Sequence, residues 1–115
     1  LPTDKNEFIN KSEKYLNFFL EFDEIKFNKY FKKSPIKRIG WVSFMRNVIL
    51  VCGNSRLPEF IDKLKNFLDN KNPIIRGITI WAINELMEGD KKKVFEKIKE
   101  IEINKYVLFE LNSLN

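Results

Sequence analysis

Two arginines stand thirty positions apart in stretches that are otherwise almost wholly apolar, Arg46 within Phe44–Asn54 and Arg76 within Ile74–Asn84. Each is followed eight residues later by an asparagine, Asn54 or Asn84, and Arg46 has a second amide beside it in Asn47. On helices, positions 43, 46, 47, 50 and 54 share a face, and so do 73, 76, 77, 80 and 84. Guanidinium and amide groups repeated along one stripe are the donors a nucleic-acid backbone takes, because the planar guanidinium fork matches phosphate oxygens in pairs. A second reading of the same pattern lies inside the fold, where an arginine caps the carboxyl end of a neighbouring helix or pairs with an acidic side chain. The run Lys32-Lys33-Ser34-Pro35-Ile36-Lys37-Arg38 adds four cations around Ser34-Pro35, a helix-start signal. Free N–H groups and the helix dipole at such a start favour a phosphate, and a solvated basic turn is the plainer alternative. The candidate RNA-binding residues are therefore Lys37, Arg38, Arg46, Asn47, Asn54 and Arg76.

Other chemistries are excluded by composition. Cys52 is the only cysteine and histidine is absent. A disulfide within the chain, a cysteine–histidine zinc or iron–sulfur site and histidine acid–base catalysis are all ruled out. Cys52 lies in an apolar run, where a cysteine acts as a small hydrophobe. The carboxylates are scattered among lysines with no acid–base pair, and there is no glycine-rich phosphate loop or serine nucleophile arrangement. By itself the chain is expected to be non-catalytic, with no metal site. The net charge of +5 permits a polyanionic partner. Lysine, asparagine, isoleucine and phenylalanine all have AT-rich codons, so the arginines are the more informative cations. No run is long enough to span a membrane and no signal peptide opens the chain, which places it in the cytoplasm as an expectation. It begins Leu-Pro rather than with methionine and is read as a fragment.

Positioning these residues falls to helices nearly throughout. The expected fold class is all-α. Phe8, Ile9, Tyr15, Leu16, Phe19 and Leu20 recur at helical intervals over Asn6 to Leu20, as one helix or two short ones. Asp23 is an N-cap for a short helix ending near Phe31. Ser34-Pro35 opens a helix expected to continue through Gly40 to Cys52, with Gly40 as a place for a break and Gly53 as the C-terminal glycine. Phe60, Ile61, Leu64, Phe67 and Leu68 form the stripe of a helix over Leu57 to Asp69. After a turn at Asp69–Pro73, helices follow from Ile74 to Met87, from Asp90 to Ile101 and from Asn104 to Leu114. The helices Trp41–Cys52 and Ile74–Met87 are apolar nearly all round and should be sandwiched between layers. Trp41 and Trp81 could stack on a ligand, but their apolar surroundings favour core packing. The architecture expected is a HEAT-like α-solenoid of about two helical hairpins over residues 34–115, with residues 1–33 as an N-terminal cap.

The stretch from about Glu24 to Met87 resembles the C-terminal region of epoxyqueuosine reductases. The resemblance is carried by Phe27, Phe31, Ser34-Pro35-Ile36-Lys37-Arg38, Arg46-Asn47, Gly53-Asn54, Arg76-Gly77 and Trp81-Ala82, in the family's order. Ile78 departs from it, standing where the family commonly has histidine after Arg-Gly. The resemblance implies a parent enzyme of queuosine biosynthesis that reduces epoxyqueuosine to queuosine at the tRNA wobble position. Such a parent uses cobalamin and two [4Fe–4S] clusters, held by its preceding N-terminal catalytic region. The implied part of this chain is a tRNA-recognition module, expected to be a monomer, that meets the anticodon stem-loop and its own catalytic region. A HEAT-like protein-interaction scaffold without a nucleic-acid role is the alternative, since helical solenoids commonly bind proteins along their faces.

Overall fold

The structure, a computed structural model, describes the backbone of residues 5–89 and 92–114 and the side chains of 11–89 and 93–114. In chain order it holds α1 (Lys5–Phe19), α2 (Glu24–Tyr30), a 3-10 turn (Pro35–Ile39), α3 (Gly40–Asn54), α4 (Ile61–Leu64), α5 (Pro73–Leu86), α6 (Lys92–Ile101) and α7 (Lys105–Asn112). No strand occurs among the described residues. The Asp90 and Lys91 part of the expected helix start lies outside them.

Short polar caps set the starts. Asp23 accepts the Lys26 N–H at 2.7 Å, Asn72 accepts that of Ile74 at 2.9 Å, and Asn104 accepts that of Tyr106 at 2.9 Å. Each satisfies a donor that a first helical turn leaves open. Ser34 likewise accepts the Ile36 N–H, but what it opens is a 3-10 turn. Gly40 ends that turn at φ +80°, a backbone that glycine adopts freely, and α3 begins there. The expected single helix through Gly40 is thus two elements.

Gly53 does not end its helix. It is buried within α3, which runs on to Asn54, and a Cβ at this position would stand 2.5 Å from Trp81 Cζ3 and 3.0 Å from Ala82 Cα. The missing side chain lets α3 and α5 approach closely. The left-handed residue beyond the helix is Arg56, at φ 61°. The expected helix over Leu57–Asp69 is also corrected. It consists of α4 between two 3-10 turns, Pro58–Phe60 and Lys65–Phe67. Its stripe survives the change, with Phe60, Leu64 and Phe67 buried and Ile61 and Leu68 partly so.

The shortest dimension is 18 Å, about two helix diameters, so the helices lie roughly two layers deep. α5 packs along α3 on one side and α7 on another, and also meets α4. Ile75, Ile80, Ala82 and Ile83 are fully buried as a result, which suits a helix apolar nearly all round. α1 and α2 cover α3 through a phenylalanine cluster. The Phe27 ring lies 5.1 Å from Phe31 and 5.2 Å from Phe44, and Phe19 lies 5.0 Å from Phe44, centroid to centroid. These are separations at which offset and edge-to-face ring pairs attract. Trp41 is core, as its surroundings imply, and its indole N–H donates to the Phe22 carbonyl at 3.0 Å. Lys63 fastens the end of α1 to α4, with its ammonium 3.0 Å from Glu21 and 3.3 Å from the Asn17 carbonyl. No helix among the described residues is long and apolar enough to cross a membrane.

Candidate nucleic-acid interface

Arg76 sits one turn into α5, just after the Asn72 cap. Its Nε and Nη2 donate to the two carboxylate oxygens of Glu102 at 2.8 and 2.9 Å. Its Nη1 donates to the carbonyls of Asn70 and Lys71 at 2.8 and 3.1 Å. The Glu102 side chain is 6% exposed and that of Arg76 17%. Glu102 in turn accepts the backbone N–H of Asn104 at 3.0 Å and of Ile103 at 3.2 Å, immediately before α7. One ion pair therefore joins α5, the turn before it and the α6–α7 connection. The Arg76 hydrogen bond holds the Glu102 carboxyl below its usual range, helped by the two backbone amides and opposed by burial.

For Arg76 the geometry is that of the intramolecular reading. Its fork is spent on a carboxylate and two carbonyls, so it is not among the cations offered to a phosphate. The expected common stripe with Arg46 fails for the same reason. Ile80, on the face predicted to carry Arg76, is fully buried, and Arg76 turns toward α6 rather than toward Arg46.

The other candidates are exposed: Lys37, Arg38, Arg46, Asn47 and Asn54. None of them has an ion pair or side-chain hydrogen bond among the described residues. Lys37 and Arg38 share a cleft with Lys32, Lys33, Ser34 and Pro35. A five-residue 3-10 turn replaces the expected helix start, so a phosphate here would be held by side-chain charge rather than by a helix dipole. Arg46 stands farther along α3, roughly 9 Å from Gly40 by helical rise. Asn54 is at the far end of the helix, away from the lysine cleft.

Arg46 also edges a groove of about 410 Å³ between α3, α5 and α7, shared with Gly77, Ile78, Trp81, Tyr106 and Phe109. Tyr106 and Phe109 were not in the candidate set, yet they are 73% and 72% exposed. They lie three apart on α7, on one side of the helix, while Val107 and Leu111 face the core. The signal for them is present in the sequence: Asn104–Leu114 has more apolar positions than one buried stripe can use. Trp81 is only partly buried, so it is less a core residue than Trp41. Ile78 also lines this groove.

Cys52 is fully buried, and burial pushes its thiol up to about 12, which keeps it protonated and inert. Among the described residues no three histidine, cysteine or carboxylate side chains gather as metal ligands. No family model, curated protein or solved structure matches this chain, so its function rests on the residues themselves.

Proposed function

We propose that the chain is a HEAT-like helical module that holds tRNA for a catalytic region lying elsewhere in a parent protein, as its resemblance to epoxyqueuosine reductases implies. The observation that supports this most is the set of exposed cations with no partner among the described residues, Lys37, Arg38 and Arg46, on the turn before α3 and along that helix. Cations that serve the fold look like Arg76; these do not. Successive packing of α3, α5 and α7 supports the repeat architecture. The setting proposed is cytoplasmic, with the anticodon stem-loop as partner. The cobalamin and clusters of such a parent would sit on its catalytic region, since Cys52 alone is no cluster ligand set.

The test is binding of an anticodon stem-loop hairpin by this chain and by its full-length parent at several salt concentrations. Replacing Arg38 and Arg46 together by alanine should weaken binding at least tenfold and make the salt slope shallower by roughly two, because about two phosphate contacts are lost. Unchanged affinity and slope would sink the assignment. A protein-binding scaffold is the rival, and Ile101 and Ile103, 80% and 91% exposed, are what favour it. Its signature in the same experiment is no salt-sensitive RNA binding by either protein.

A further inference from the structure

The groove between α3, α5 and α7 combines features that a plain phosphate surface does not need. Two aromatic rings, Tyr106 and Phe109, stand exposed side by side on α7. The indole of Trp81 lines the same groove from α5. Gly77 also lines the groove, and nothing stands within 4 Å of where its Cβ would be, so the space over it is open. At the lip is the guanidinium of Arg46, which has no partner among the described residues. The Lys105 ammonium lies 5.5 Å from the centre of the Tyr106 ring. Among the described residues Glu110 is the acid that lines the groove.

Resting on the RNA reading above, we propose that this groove takes an unpaired stretch of the RNA, with bases stacked on Tyr106, Phe109 and Trp81. Arg46 and Lys105 hold the phosphates on either side. Rings with flanking cations suit single strands because every base has a π-face to stack and every linkage a charge to neutralise. Glu110 accepts hydrogen bonds from exocyclic amino groups, so bases that carry one are favoured over uracil. Duplex RNA, whose bases are already stacked on one another, gains nothing from the rings and depends on Lys37 and Arg38. The two surfaces therefore divide the work, the basic turn holding a stem and the groove an adjoining loop.

The experiment measures binding of three probes to the full chain by fluorescence anisotropy: a blunt RNA duplex, a single-stranded adenosine octamer and a uridine octamer. Tyr106→Ala with Phe109→Ala should weaken the adenosine octamer at least tenfold, since stacking on one ring is commonly worth that much. Duplex binding should change less than twofold. Tyr106→Phe should keep the octamer affinity, and Gly77→Leu, which fills the open floor, should lower it. Both altered rings are exposed, and a circular dichroism spectrum matching the native one confirms the fold of each variant. If the alanine pair leaves octamer binding intact while Lys37→Ala with Arg38→Ala weakens the duplex, the groove assignment is overturned and the RNA reading stands. Absence of all RNA binding overturns both. Self-association of the native chain that the alanine pair abolishes, without octamer binding, makes the groove a contact between copies and overturns the proposal.

Discussion

Replacing Phe27 by alanine is expected to lower the unfolding free energy by about 4 kcal/mol, the usual cost of removing a fully buried phenylalanine ring. Phe27 has no exposed surface, and its ring packs against both Phe31 at the α2 end and Phe44 of α3. Deletion of the ring leaves a cavity in the layer that joins α1 and α2 to α3. Domains of this size are commonly stable by only about 5–15 kcal/mol, so roughly a quarter or more of the total would go. Phe27→Leu keeps much of the volume and should cost about 1.5 kcal/mol. Urea unfolding measures both, as a fall in midpoint at constant slope. Equal midpoints for the native chain and Phe27→Ala would show that the phenylalanine cluster does not hold the cap.

Arg76→Ala should cost about 3 kcal/mol, because it strands a buried carboxylate and leaves two carbonyls without their donor. Arg76→Lys keeps the charge but loses the fork that grips Glu102 and both carbonyls together, and should recover less than half of that. The pair also sets an acid limit. Arg76 holds the folded-state pKa of Glu102 below its unfolded value. Its contribution is thus complete above about pH 5, beyond the ordinary carboxylate range, and is lost as pH falls through the lowered pKa. Native stability should decline below about pH 4, and that part of the decline should be missing in Arg76→Ala. Identical pH profiles for the two proteins between pH 5 and pH 2 would show that the pair contributes nothing.

How far the sequence discloses the fold depends on how local each cause is. Asp23 caps α2 and Pro73 stands at the start of α5 because capping chemistry is settled within three residues. The burial of Phe60, Leu64 and Phe67 was legible from their spacing, which suits an α-helix and a 3-10 turn almost equally; for that reason the break into three pieces was not. Gly53 follows an apolar run, as a terminal glycine would, and only the position of Trp81, 28 residues away, reveals that it is a packing glycine. The role of Arg76 is more distant still. The arginine and its repeat spacing are visible, but Glu102 reaches it from the α6–α7 connection, and no local pattern announces that meeting. Of the candidate site, Lys37, Arg38, Arg46, Asn47 and Asn54 are exposed, whereas Arg76 is bound to Glu102. Tyr106 and Phe109 escaped because an aromatic at helical spacing is ordinarily core, and α7 has more of them than its buried face can take.

In the proposed function the arginines divide: Arg76 is bound to Glu102 within the fold, while Arg38 and Arg46 are left to hold RNA. Arginine side-chain N–H resonances report on this directly, during titration of the isotope-labelled chain with a stem-loop RNA at moderate salt. The resonances of Arg38 and Arg46 should shift and sharpen as their guanidinium groups engage phosphate, while that of Arg76, already sharp and protected in the free protein, should stay in place. Movement of Arg76 with Arg38 and Arg46 unmoved would overturn this division.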